Sequence, residues 1–211
     1  MKRTNPEAAQ IVLEKLVKIT PTISHVIDEA IVVARKFFEV REAKIDSYLF
    51  PSLVRYEAKQ LLELPEYKSI GYEFVSLSNN GLFIVYKHEG CYYRIRVRKA
   101  DEDGELPVQN LSKTLKTFYK NPTLPFTNGN LDDFIAPERL NLIVVWDVDK
   151  YHILKNVHLV CTKNEFGEIY FADKIEHAAT TIVGNANFDE QADDFEDIDI
   201  LPLRKTGTKN S

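Results

Sequence analysis

The sequence predicts an α+β fold, with N-terminal helices packed on a mostly antiparallel β-sheet that contains a three-stranded meander. Apolar residues recur at helical spacing through the first third of the chain, and the period then drops to two from Tyr72 onward. Two tight-turn signals, Asn79-Asn80-Gly81 and Glu89-Gly90, join three of the period-two runs in succession. At 211 residues, 44% hydrophobic and 28% charged, the chain can bury a sizeable core, and a wholly disordered or collagen-like class is excluded.

Each element has its own justification. Glu7 to Ile19 reads as a helix because Val12, Leu13, Leu16 and Val17 fall on one stripe and Pro6 suits a helix start. A second helix is expected from Thr22 to Val40, carrying Ile23, Val26, Ile27, Ala30, Ile31 and Ala34. A third covers Ser52 to Leu64 and stops before Pro65. The strands Tyr72–Ser78, Leu82–His88 and Cys91–Lys99 form the meander. Asn110 is placed as the cap of a short helix from Leu111 to Tyr119, and the stretch from Asn121 to Pro137 reads as a long irregular connection. Leu140 to Asp149, the most apolar run, is the expected central strand, with Asn156–Thr162 and Glu168–Phe171 continuing the sheet. The expected organisation is an N-terminal helical segment (1–66), a sheet core with one short helix (67–184) and an acidic, disordered tail (185–211).

The net charge of −5 is unevenly spread. Seven acids and no base lie between Asp189 and Asp199, and with those acids set aside the remainder carries +2. A charge so near neutral argues neither for nor against a nucleic-acid partner. The hydrophobes Phe188, Phe195, Ile198, Ile200 and Leu201 punctuate the acids, a pattern suited to a short docking peptide as well as to a solubility tail. Cys91 and Cys161 each sit in an apolar strand pattern and are expected as buried, reduced thiols. No signal-peptide core or membrane-length apolar run occurs, so a cytoplasmic location without membrane association is expected.

Two groups of side chains are candidates for function. Alternation puts Tyr92, Arg94, Arg96 and Arg98 on one face of a strand and Cys91, Tyr93, Ile95 and Val97 on the other. With Glu89-Gly90 as a two-residue turn, His88 pairs with Cys91, Tyr86 with Tyr93, Val85 with Arg94 and Phe83 with Arg96. The arginine face is therefore amphipathic. Like charges about 7 Å apart repel unless something anionic crosses them. Glu39, Glu42 or Glu57 of the helices, the acidic tail, a protein surface or a nucleic-acid backbone each fits that role, with Tyr92 and Phe83 open to stacking. The second group is Asp147 and Asp149, two carboxylates at a strand end, which would suit a divalent-metal, nuclease-like centre if Glu168, Asp173 and Lys174 lay beside them. The plainer reading makes Asp149 a turn residue.

No histidine has a partner at metal-ligand spacing, and no Gly-x-Gly-x-x-Gly, Walker or Gly-x-Ser-x-Gly pattern occurs. No catalytic residue, resident metal or cofactor is expected.

Tyr93-Arg94-Ile95-Arg96-Val97-Arg98-Lys99, the Phe118-Tyr119 helix end and Asn141-Leu142-Ile143-Val144-Val145-Trp146-Asp147-Val148-Asp149 together resemble an uncharacterised bacterial family. Its members are encoded near Xre-type repressors and ImmA-like metallopeptidases on mobile elements. The similarity covers about residues 81–171. It implies a setting in a regulatory, stress or phage-defence locus and transfers no catalytic residue. The leading expectation is a non-enzymatic regulatory or interaction protein that presents Tyr92, Arg94, Arg96 and Arg98 to a protein or nucleic-acid partner. The alternative is a metal-dependent nuclease-like enzyme using Asp147 and Asp149.

Overall fold

The computed structural model describes residues 1–2, 4–78, 81–121 and 137–175. Three helices come first: α1 (Pro6–Lys15), α2 (Thr20–Val40) and α3 (Leu49–Leu62), followed by a single turn, α4 (Pro65–Lys68). α1 ends earlier than its apolar stripe suggests, because the chain turns at Leu16–Ile19 and restarts as α2 with Pro21 in its first turn. α3 starts three residues before Ser52. The carboxylate of Asp46 accepts the amides of Tyr48 (2.8 Å) and Leu49 (2.6 Å), which leaves Pro51 inside the first turn where its missing N–H costs nothing.

Six strands follow among the described residues: β1 (Tyr72–Ser78), β2 (Gly81–His88), β3 (Cys91–Lys99), β4 (Arg139–Val148), β5 (Leu154–Thr162) and β6 (Ile169–Lys174). They lie in the sheet in chain order. Four of the pairings are antiparallel and one, β3 with β4, is parallel. The sheet is thus mixed, though mostly antiparallel. In the β2–β3 hairpin His88 faces Cys91, Val85 faces Arg94 and Phe83 faces Arg96, as alternation and a two-residue turn require. Glu89 (φ 48°) and Gly90 (φ 80°) both take the positive φ of a primed turn. The Asn79-Asn80 turn, the 122–136 connection and the acidic tail lie outside the described residues.

A parallel neighbour needs a crossover, and residues 100–138 supply it. This segment carries α5 (Lys113–Tyr119), where Ser112 Oγ accepts the Leu115 amide at 3.3 Å. Ser112 is therefore the cap, while Asn110 takes a left-handed conformation (φ 52°) in the preceding turn. The sheet has a covering on each face. On one, Ile84, Tyr93, Ile95, Leu142, Val144, Trp146 and Leu159 share a core with Ala8, Val12, Ile23, Ile27, Ile31, Phe50 and Val54 of α1, α2 and α3. On the other, Ile143, Val145, Val160 and Ala172 pack with Leu106, Leu115, Phe118 and Tyr119. No helix among the described residues is long and apolar enough to cross a membrane.

Gly167, in the turn between β5 and β6, has φ 82°, and a Cβ there would run into Val108 and sit 3.3 Å from Tyr119. Gly167→Ala is expected to lower unfolding stability by about 1–3 kcal/mol, through backbone strain and displacement of the second layer, in a denaturant titration.

Cys91 and Cys161 are buried and free. Burial pushes the Cys91 thiol up to about 11 and also raises that of Cys161. A raised pKa means that the fold favours the protonated thiol. That stabilisation is complete below the unfolded thiol's pKa of about 8.5 and is lost as pH rises from there through the folded value. Both thiols should resist a thiol reagent at pH 8 in the native protein and react on unfolding, and the melting temperature should fall as pH climbs from about 9 toward 11.

Candidate anion-binding site

β3 places its arginines on the face away from α1–α3. That removes Glu39, Glu42 and Glu57 as their cover. The cover is α5 and the loop before it, and the three arginines fare differently under it. Arg98 donates to the Tyr119 hydroxyl (2.6 Å) and to the Pro107 carbonyl (3.2 Å), so it is spent on tying the crossover to the sheet. Arg96 is 8% exposed, with its guanidinium 4.7 Å from the Phe118 ring centre and 5.6 Å from that of Phe83. Arg94, half-buried, lies 5.2 Å from the Phe83 ring and 5.8 Å from Phe118. Phe83 and Phe118 meet edge to face at 6.0 Å. Burial, then the charge of Arg139, pushes the Arg94 guanidinium below its ordinary value. Burial, then Arg94 and Arg98, does the same to Arg96.

Where α5 leaves the start of β3 and β4 uncovered, a cleft of about 360 Å³ opens. Its lining draws on three elements. Arg94 and Arg96 come from β3, Arg139 and Asn141 from β4, and Lys113, Thr114, Thr117 and Phe118 from α5. The parallel register explains the grouping, since Arg94 stands beside Asn141 and Arg96 beside Ile143. Four cations face this cleft, and the described lining contains no carboxylate. Neither Arg94 nor Arg139 forms an ion pair among the described residues.

A buried amide network holds α5 in place. Asn121, just past the helix, donates to the carbonyls of Asn141 (3.0 Å) and Thr162 (2.9 Å) and accepts the Asn141 amide (2.8 Å). The side chains of Asn141 and Thr162 in turn donate to the last carbonyls of the helix, at Phe118 (2.9 Å) and Tyr119 (2.6 Å). These are the groups a helix C-terminus leaves without intrahelical partners.

Of the residues singled out from sequence, Arg94 and Arg96 line the cleft. Tyr92 faces Arg139 in register but has Lys87 over its ring at 4.9 Å, while Phe83 is already packed under Arg94 and Arg96. Stacking on these rings is therefore not freely on offer. Lys113, Thr117, Arg139 and Asn141 escaped the sequence reading, because nothing local signals that β4 runs parallel beside β3.

The two aspartates are not assembled with the acids proposed to join them. Asp149 Oδ1 accepts the amides of Tyr151 (2.8 Å) and Ile153 (2.9 Å), and these bonds hold its carboxyl below the usual range. That is the turn role. Asp147 lies 3.9 Å from Lys155. Glu168 bonds Lys163 and Asn164 in the β5–β6 turn, and Asp173 is buried on the helix-covered side, opposite Leu159. No group of three or more His, Cys, Asp or Glu that could hold a metal ion occurs among the described residues.

Comparison with family models, curated proteins and solved structures yields no match.

Asn121→Ala would strand the Asn141 amide and two buried carbonyls. A loss of about 2–4 kcal/mol in unfolding stability is expected, with faster amide exchange across α5 than across β2.

Proposed function

We propose that this chain is a non-enzymatic interaction protein that captures an anionic group of a protein or nucleic-acid partner in the cleft beside Arg94 and Arg139. The observation that carries this reading is the convergence of Arg94, Lys113 and Arg139 from three elements on one recess whose described lining has no carboxylate. A fold spends free energy when it brings cations together and partly desolvates them, and a bound anion recovers it. The strands β1–β3 act as the meander on which the arginines are mounted, buttressed from behind by the N-terminal helices. A regulatory role in a mobile-element, stress or phage-defence locus rests on the resemblance over residues 81–171. The cytoplasmic placement is supported by the two buried free thiols.

The test is fluorescence anisotropy with labelled acidic peptides and single-stranded oligonucleotides. Binding should weaken as salt rises, and the double variant Lys113→Glu, Arg139→Glu, at two exposed positions, should lower affinity at least about tenfold with an unchanged melting temperature. Failure of the folded wild type to bind any anionic probe at low salt would overturn the reading.

A further inference from the structure

The cations of the cleft are gathered at one spot and do not continue as a line. Lys113 of α5 and Arg139 of β4 are exposed, and Arg94 of β3 is half-buried beside the Phe83 and Phe118 rings. Arg139 stands close enough to Arg94 that its charge adds to burial in lowering that guanidinium. Further along β3 the positive face closes. Arg96 is 8% exposed, and Arg98 is bound to the Tyr119 hydroxyl and the Pro107 carbonyl.

We infer that the occupant of the cleft is an anionic side chain of a protein partner, a carboxylate or a phosphorylated hydroxyl on an acidic segment, and not a nucleic-acid backbone. The inference rests on the anion-capture reading and names the class of partner. A side chain carries its charge at the end of a stem, clear of its main chain. It can therefore enter a recess of about 360 Å³ while the main chain stays outside. Arginine forks suit such a group, since they bind carboxylate and phosphate oxygens in pairs. An internal phosphate of nucleic acid is held between two sugars and cannot leave the line of its backbone. Nucleic acid binds instead by laying successive phosphates over successive cations and stacking bases on open rings. The β3 line stops at Arg96. The rings are already used, since Phe118 is 4% exposed and meets Phe83 edge to face at 6.0 Å, with Arg94 and Arg96 against both. A phosphate track would have to continue from Lys113 to Lys116 and Lys120, which are exposed but lie outside the lining of the cleft.

That difference sets the test. Fluorescence anisotropy of the full chain at low salt would compare a glutamate-rich peptide, a phosphoserine peptide, a neutral peptide of equal length, and short and long single-stranded oligonucleotides. The better of the two anionic peptides should bind at least about tenfold more tightly than either oligonucleotide. Lys113→Gln and Arg139→Gln should each weaken that peptide at least about fivefold, with the melting temperature in place. Lys116→Gln removes the same charge from the same helix outside the cleft and should change affinity by less than about twofold. Oligonucleotide binding that tightens with length and exceeds that of the peptides, or a loss in Lys116→Gln equal to that in Lys113→Gln, overturns the protein assignment and leaves anion capture standing. Equal binding of the neutral peptide, or absence of binding by every probe with the protein folded, overturns both.

Discussion

The side-chain amide of Asn121 stands in for a rung of backbone pairing between β4 and β5, and the arginine face is organised around that substitution. The ladder of the two strands ends at Leu142 opposite Cys161. One residue further, Asn121 bridges the Asn141 and Thr162 carbonyls and takes the Asn141 amide. Each such bond contributes only about 1 kcal/mol net, yet leaving a buried partner unmade costs about 1–3 kcal/mol. That asymmetry fixes α5, whose terminal carbonyls are met by Asn141 and Thr162 from the same two strands. Without the clamp, Leu115, Phe118 and Tyr119 would have no defined seat, and the second face of the sheet would lack its apolar cover.

The clamp also decides how the arginines are used. Two unit charges about 7 Å apart repel by roughly 2.4 kcal/mol at an effective dielectric near 20. A cation–π contact recovers about 0.5–2 kcal/mol. The Phe83–Phe118 pair therefore moderates the repulsion between Arg94 and Arg96, a repulsion that follows burial among the causes lowering the Arg96 guanidinium. Arg98 is moderated differently, by the Tyr119 hydroxyl and the Pro107 carbonyl.

Local chemistry was legible from the sequence wherever the interacting residues are close along the chain. The β2–β3 register follows from strand alternation and a turn whose Glu-Gly pair accepts positive φ, and it places every arginine on the correct face. Long-range pairing was not. The connection from Lys99 to Arg139 gives no sign that β4 will lie parallel to β3, so Arg139 and Asn141 could not be brought to the cleft, nor α5 to the arginine face. Helix ends failed for a subtler reason. Asn110 and Ser112 both satisfy capping rules, and only the left-handed turn at Asn110 leaves the role to Ser112. The aspartates show the converse, since the paired-carboxylate pattern at 147 and 149 is a turn requirement met by Asp149.

Three segments, Tyr93 to Lys99, Phe118-Tyr119 and the stretch starting at Asn141, are separated in sequence and meet at one place in the fold. Arg94 and Arg96 line the cleft, Phe118 packs beneath them, Tyr119 takes Arg98, and Asn141 holds the helix end. A purely structural role accounts for Tyr119 and for one nitrogen of Asn141. A β-strand with three arginines in line would by itself suggest an extended basic track. Here one end of that line is consumed by Tyr119 and the middle is buried, so the same periodicity yields a single localised pocket at the other end.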